Sequence, residues 1–461
     1  MGLKDLLHNL PEVTAPTEKK VSFKTGIKWT LIILVAYFIL SNITMYGISE
    51  SALSRFEYLA ILLGTTFGSI VSLGIGPIVM ASIILQLLVG SQILNIDTST
   101  TEGKKFFQGI QKLLAMAFVV FESFVYVLMG GIPASSPGLV PIVIVQLCLG
   151  GFIILFMDEV ITKWGFGSGI SLFIAAGIGW RLFTQLFQFM GSTGFCNILT
   201  GEDCIGNVWA FVASLAMADG RGSMLALVPV LVTVALFFLV VFAQSLKVEI
   251  PLSYDRVRGY GIRWPLQFFY AGVIPVILVS ALVANIQLLG SLLESWLGHE
   301  TFLGTFSNGA PVAGLAYWVH FSNIAESIIN NNLIWKQVAQ AILHILFYMF
   351  LSVIFAYFWV MTSGQDAKSQ ADRIMKSGMS IPGFRKDPRV LESILKRYVG
   401  PLTIMGGAAV GLLASVADLF GALVGGTAIL LAIMILYQLY QNIAQQYAMD
   451  MNPAMRNFFG G

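Results

Sequence analysis

Ten apolar stretches, each long enough to cross a lipid bilayer, dominate this chain of 461 residues. A helix needs about 20 apolar residues to span the hydrocarbon core of a bilayer. The stretches fall near residues 29–48, 76–94, 106–130, 138–158, 169–190, 224–246, 265–290, 338–361, 399–417 and 423–441. Charged residues make up only 11% of the chain, about half of their share in soluble domains. The sequence therefore predicts an all-α polytopic membrane protein and excludes a soluble enzyme, a nucleic-acid binder and a secreted domain.

The distribution of Lys and Arg predicts the orientation of these spans, because basic residues concentrate in cytoplasmic loops. If the N-terminus is cytoplasmic, 22 of the 26 basic residues fall on the cytoplasmic side. The four on the other side are Arg55, Arg181, Arg221 and Lys336. We therefore expect both termini of this multi-pass protein to lie in the cytoplasm.

Residues 54–73 precede the second span and do not form an ordinary span themselves. Their apolar run at 58–63 is too short to cross, and Gly64 and Gly68 interrupt the residues after this run. Pro77 then suits the first turn of a new helix. A short re-entrant half-helix and an amphipathic external loop both fit these residues. Irregular backbone at membrane depth is tolerated only where protein buries it or where it lines a cavity.

Two cytoplasmic segments, 247–263 and 362–398, are rich in basic residues. The first has alternating apolar residues that suit a small hairpin, and the second is a loop of roughly 37 residues by the predicted span boundaries. Such loops can simply enforce topology. They also suit a docking platform for an RNA-rich or anionic partner, since Lys and Arg dominate phosphate contacts.

Catalytic and metal-binding signatures are not found in the sequence. No phosphate-binding GxxxxGK[ST] loop, HExxH, CxxC or serine-elbow motif occurs, and the four histidines are scattered. We therefore expect no enzyme activity, cofactor or metal. Cys196 and Cys204 could pair across a short loop, which sequence spacing alone does not settle.

Glu122 is the carboxylate that lies clearly within a span, where ionisable groups are costly and usually functional. It could bind a proton or cation, or hydrogen-bond a neighbouring helix; Asn285, Gln287 and His344 are possible polar neighbours. Asp418, between two apolar runs, is interpreted as a turn residue. A single mid-span carboxylate argues weakly for an ion-coupled secondary transporter, which is the alternative function.

Six stretches of the chain carry a family resemblance. They are LGIGPIVMASIILQLLVG at 73–90, FQGIQKLL at 107–114, GFGSGISLFIAAG at 165–177, KVEIPL at 247–252, AGVIPVILVSALVANIQ at 271–287 and LKRYVGPLT at 395–403. Together, and in this order along ten spans, they resemble the SecY family, the large subunit of the protein-translocation channel. PEV at 11–13 and GFRK at 383–386 are similar to its archaeal and eukaryotic branch.

The resemblance implies two five-helix halves, residues 1–205 and 206–461, around a central pore closed by a short re-entrant plug at about 56–68. It implies a pore ring of bulky apolar side chains: Ile75, Val79, Ile170, Ile174, Ile277 and Leu431. An aliphatic ring binds no ion and favours dewetting of a narrow passage. The matching plug residues are Phe56, Tyr58, Leu59, Ile61, Leu62, Leu63 and Phe67.

The resemblance also implies a lateral gate and a docking surface. Glu122 and Asn285 match a polar cluster at the gate, where Met80 departs from the frequent threonine. The residues that match ribosome-docking positions are Arg256, Arg258, Lys376 and Arg385. The function expected is a passive channel that translocates polypeptides and releases transmembrane segments sideways into membrane lipid. Its expected partners are SecE-like and Secβ-like small subunits, the ribosome with its nascent chain, and signal peptides, in an archaeal plasma membrane.

Overall fold

The computed structural model describes residues 10–16, 21–48, 68–90, 93–94, 96, 100–129, 131–189, 195–198, 204–254, 261–307, 310–376, 379–380 and 387–451. The predicted plug residues 56–67 and the predicted docking residues Arg256, Arg258 and Arg385 lie outside this described part. The helices and strands, in chain order, are α1 Phe23–Asn42, α2 Gly76–Gly90, α3 Thr101–Leu128, α4 Val140–Trp164, α5 Gly169–Phe187, α6 Asn207–Ala216, α7 Gly220–Ser245, β1 Lys247–Tyr254, β2 Gly261–Gln267, α8 Ile274–Leu297, β3 Thr305–Ser307, β4 Ala310–Ala313, α9 Gly314–Val319, α10 Ile324–Ile329, α11 Trp335–Thr362, α12 Ala367–Lys376, β5 Met379–Ser380, α13 Pro388–Leu419 and α14 Gly426–Met451.

Nine helical stretches in the described part are long and apolar enough to cross a membrane. The tenth predicted span is α2, an apolar helix of only 15 residues. It is shorter than the predicted span, which extended to residue 94, and the described residues Ile93 and Leu94 are not helical. Each predicted span therefore has a helix. Most helix ends differ from the predicted span ends by a few residues.

Two boundary predictions are wrong. The predicted span at 265–290 begins instead at Ile274, because Gly261–Gln267 is strand β2. The predicted loop at 362–398 is largely helical: it contains α12, and α13 begins at Pro388 with the Asp387 carboxylate accepting a hydrogen bond from the backbone N–H of Arg389. A proline in the first turn and an acidic capping residue are ordinary signals of a helix start. The prediction placed this span by its apolar residues alone and did not use those signals.

The predicted hairpin at 247–263 is confirmed. Strands β1 and β2 pair in antiparallel register with Ile250 opposite Trp264, and β5 adds a short third strand beside β1. Ile250 and Leu266 are buried in an apolar cluster with residues of α12 and α13. This cluster attaches the basic hairpin to the base of the helical bundle.

The helices pack around one large apolar cluster that draws on both the N-terminal and the C-terminal parts of the chain. Helices α11 and α13 approach closely, through Gly407 and Gly411. A Cβ atom at Gly411 would lie 2.8 Å from the carbonyl oxygen of Tyr348. Small residues at such crossings are the usual means of close packing between membrane helices.

An N-terminal strap, residues 10–16, contacts α3 at Lys112 and the end of α4. Lys112 donates hydrogen bonds to the Pro11 carbonyl (2.6 Å) and to Glu159 (2.7 Å), and Lys163 donates to the Val13 carbonyl (2.6 Å). Trp164 Nε1 donates to the Thr14 carbonyl at 2.8 Å. The strap thus joins two helices that share no covalent link at this end.

Cys196 and Cys204 form a disulfide in the connection between α5 and α6. The same connection is held by hydrogen bonds from the Gly206 and Trp209 N–H groups to the Gln188 and Phe187 carbonyls. The pairing that the sequence left open is therefore decided by the folded connection, which brings the two Cα atoms to 4.5 Å.

Candidate pore and lateral seam

The segment 68–75 is irregular backbone buried inside the protein. Val71, Ser72 and Leu73 have no solvent exposure, and the Ile70 carbonyl oxygen packs directly on the α-carbon of Gly150, which leaves no room for a side chain there. Hydrogen bonds link this segment to residues 43–45. The segment meets the condition for irregular backbone at membrane depth and delivers Ile75 to the core.

The six predicted ring residues all belong to the large apolar cluster or pack against it. Ile75, Val79, Ile174, Ile277 and Leu431 are buried members of this cluster, and the half-buried Ile170 packs against it. All six lie in, or directly before, the first two turns of α2, α5, α8 and α14. The spacings 75/79 and 170/174 place each pair on one face of its helix.

A seam between the two parts of the chain runs where α2 and α3 meet α8 and α11. Towards the end of α2, Gly90 packs against the ring of Phe358 on α11. At the other end, Val119, Tyr126 and Val127 of α3 share an apolar cluster with Ala284, Leu288 and Leu292 of α8. The seam is therefore closed by apolar contacts at both ends.

Glu122 and Asn285 are both buried at this seam, each 8% exposed. The Asn285 side-chain amide donates to the Ala281 carbonyl of its own helix at 2.7 Å, and among the described contacts no hydrogen bond joins it to Glu122. Two further polar candidates bond elsewhere: Gln287 to His320 Nδ1 at 3.3 Å, and His344 to the Val319 carbonyl at 2.8 Å. Burial, with a contribution from His344, lowers the pKa of His320 to about 4, so this ring is neutral at neutral pH.

Sequence reasoning missed one capping carboxylate and misread another. Asp158, near the end of α4, accepts a hydrogen bond from the Ile170 backbone N–H at 2.9 Å. Asp418 is not a turn residue but the buried penultimate residue of α13. It accepts hydrogen bonds from the backbone N–H of Thr427, at 3.0 Å, and from the Thr427 hydroxyl. The signal that was available is that each carboxylate comes shortly before a new helix start, at Gly169 and at Gly426.

Lys376 is the predicted docking residue that falls in the described part. It is at the end of α12, in the same basic region as the β1–β2 hairpin, and its side chain is exposed. Met80, at the position where a threonine was expected, is partly buried against the large apolar cluster.

These features define a polytopic membrane protein whose helices pack around one large apolar cluster. The SecY family model matches residues 69–440. The protein translocase subunit SecY of Methanothermobacter thermautotrophicus is 43% identical over 455 residues, which cover 98% of this chain and 97% of that relative. The chain therefore belongs to the SecY family, and the archaeal relative agrees with the branch indicated by the sequence.

Two solved structures extend this comparison to the whole fold. One is the structure of a protein-conducting channel, with 37% identity, a TM-score of 0.83 and 99% coverage of both chains. The other is Sec61 in the canine ribosome–channel complex from the endoplasmic reticulum, with 37% identity, a TM-score of 0.80 and 99% coverage of both chains. The chain has the ten-helix membrane fold of these channels, and they give no support to the transporter alternative.

Proposed function

We propose that this chain is the channel-forming subunit of a protein translocase, with Ile75, Val79, Ile170, Ile174, Ile277 and Leu431 as its pore ring. Family membership supports the channel function. The observation that carries the ring is that four helix starts contribute these residues to one apolar cluster. Because spans alternate in direction, α2 and α14 leave this cluster towards one side of the membrane, and α5 and α8 leave it towards the other. Such an arrangement leaves space on both sides of a short constriction.

Lateral release of transmembrane segments would use the seam of α2 and α3 against α8 and α11. Its contacts are apolar side chains and a glycine–aromatic contact rather than a network of ion pairs. An apolar segment entering the seam replaces apolar contacts with similar ones. Hydrogen bonds between membrane helices contribute only about 0.6 kcal/mol each on average, so a seam with few of them opens at modest cost.

The basic hairpin and the segment after α12 would dock the translating ribosome through Arg256, Arg258, Lys376 and Arg385. The similarity to Sec61 in a ribosome–channel complex supports this partner. The plug role of residues 56–67 rests on the sequence resemblance, as do the two halves 1–205 and 206–461. SecE-like and Secβ-like subunits are the further partners that we propose.

We also propose that both termini face the cytoplasm of an archaeal cell and that the protein lies in its plasma membrane. The disulfide Cys196–Cys204 then falls on the outer face, where the Lys and Arg distribution places the α5–α6 connection. Disulfides persist in oxidising compartments, so the pairing agrees with this orientation.

The test uses a ribosome-stalled nascent chain carrying one cysteine and a signal sequence. The channel would carry Cys148→Ser together with Ile174→Cys or Ile277→Cys, and the native disulfide would be left intact. We expect signal-dependent crosslinks at both positions. Leu231→Cys, exposed on the outer surface of α7, is the matched control and should give none. Absence of crosslinks at 174 and 277, with ribosome binding intact, would show that this ring does not line the path.

A further inference from the structure

Two carboxylates hold the first turns of the helices that carry three of the six proposed ring residues. Asp158 bonds the backbone N–H of Ile170 itself, and Asp418 bonds Thr427, which lies one helical turn before Leu431. In each case the carboxylate comes from the preceding helix. Ionisable groups within membrane spans are costly, and a carboxylate at a helix N-terminus is stabilised by unpaired N–H groups and the helix dipole.

The start of α14 is imposed by its surroundings rather than by local backbone preference. The preceding turn contains Val424 with φ +60° and Gly425 with φ +95°. A β-branched residue in this left-handed region is unfavourable by itself. The turn is held by hydrogen bonds from the Val424 N–H to Gln185 of α5 (2.8 Å) and from the Leu423 N–H to Thr233 of α7 (3.0 Å).

The Asp418–Thr427 pair also lies close to the helix that carries Ile277. The side chains of Thr427 and of Ser280, on α8, lie near the Tyr348 side chain on α11, and the Ser280 hydroxyl donates to the Val276 carbonyl of its own helix at 2.8 Å. Asp418, Thr427, Ser280 and Tyr348 are all buried. Ser280 lies three residues after Ile277, so this polar group sits about one turn from two ring positions on two different helices.

We infer that Asp158 and Asp418 are positioning residues of the constriction: they fix where α5 and α14 begin, and thereby where Ile170, Ile174 and Leu431 meet Ile277. The inference rests on the proposed pore ring. Loss of either carboxylate as an acceptor frees the first turn of a ring helix. The ring then loosens while the rest of the helix bundle keeps its packing.

The test measures the ring arrangement and its tightness separately. In a Cys148→Ser chain, Ile277→Cys and Leu431→Cys are joined by a short bifunctional crosslinker. We expect Asp418→Leu to lower the crosslinking yield severalfold and to raise the ion conductance of the ribosome-free channel about tenfold, the shift expected from one lost buried hydrogen bond to a charged group. Asp158→Leu should raise the conductance similarly.

Asp418→Asn should restore both readouts, because its amide oxygen still accepts the Thr427 N–H. If the Asp418→Leu chain does not accumulate, Thr427→Val removes the hydroxyl at nearly constant volume and should give a smaller change in the same direction. Ser415→Ala is the matched control: Ser415 is buried on α13, and its hydroxyl bonds the Gly411 and Leu412 carbonyls of its own helix. It should change neither readout.

Unchanged crosslinking and conductance in Asp418→Leu would overturn the inference, and so would equal effects in Ser415→Ala. Either result overturns the positioning role alone if, in the channel that keeps Asp418, the nascent chain still crosslinks to positions 174 and 277. If those nascent-chain crosslinks are absent, the pore ring itself is wrong, and the inference about a constriction falls with it.

Discussion

Gly90 of α2 packs directly against the Phe358 ring of α11, so a Cβ atom at Gly90 would lie 2.8 Å from the ring's Cγ atom. This contact closes one end of the seam between the two parts of the chain. Only a residue without a side chain allows the two helices this separation. A larger residue must push α2 away from α11 or turn the Phe358 ring.

The substitution Gly90→Leu should therefore weaken the closed seam. Overpacking of a close contact typically costs about 1–3 kcal/mol. We expect less hydrophobic signal sequences to be accepted, measured as membrane insertion of a graded signal series. Gly179→Leu is the control, because a Cβ atom there meets nothing within 4 Å. Identical insertion curves for the two variants would contradict a role for the Gly90–Phe358 contact.

The substitution Glu122→Leu should have the opposite effect on insertion. It replaces a buried carboxylate at the seam with an apolar side chain, so the closed state loses a desolvation cost and gains packing. We expect the same signal series to require higher hydrophobicity, with folding largely intact. Glu122→Gln keeps the size and polarity and should fall between the parent and Glu122→Leu. An unchanged threshold in Glu122→Leu would remove Glu122 from the gate.

The substitution Lys112→Met should loosen the N-terminal strap, which Lys163 and Trp164 still hold. It removes a partly buried ion pair with Glu159 and the hydrogen bond to the Pro11 carbonyl, while Glu159 keeps Lys163 at 2.8 Å. We expect the free energy of opening the strap to fall by about 1.5–3 kcal/mol, the usual contribution of a hydrogen bond to a charged group, and proteolysis at residues 10–16 to become faster. Lys105→Met, on an exposed side of the same helix, should leave both measurements unchanged.

Charge reversal of Arg256 and Arg385 together should weaken ribosome binding. Affinity falls as salt rises, and each lost phosphate contact should make the plot of log affinity against log salt less steep by about 1. The measurement is binding of empty ribosomes to proteoliposomes at several salt concentrations. Arg221→Glu, on the opposite side of the predicted topology, is the control. If the double variant bound with unchanged affinity and slope, the docking surface would lie elsewhere.

The disulfide Cys196–Cys204 provides a test of orientation. In intact cells, a membrane-impermeant reductant followed by an impermeant maleimide should label two cysteines, because the proposed topology places the α5–α6 connection outside. Cys196→Ser combined with Cys204→Ser should abolish the labelling. This variant should also make the connection about 2–3 kcal/mol easier to open, as expected for a short disulfide loop. Labelling only after the membrane is permeabilised would reverse the predicted topology.

The number and order of the spans were predictable from the sequence. An apolar run as long as 224–246 forms a membrane span whatever its tertiary neighbours are, and Lys and Arg are enriched in the loops on the cytoplasmic side of a membrane. The hairpin at 247–263 was predictable from strand alternation. The family resemblance then selected one function among those that residues such as Glu122 left open.

The tertiary structure alone decided which helix ends meet and what holds them there. Hydropathy does not distinguish an isoleucine at a constriction from one facing lipid, because both environments are apolar. Ile75 and Ile277 join one apolar cluster only through the packing of helices from distant parts of the chain. Asp418 became a cap only when the start of α14 folded back onto it, because a carboxylate's role depends on the N–H groups that converge on it.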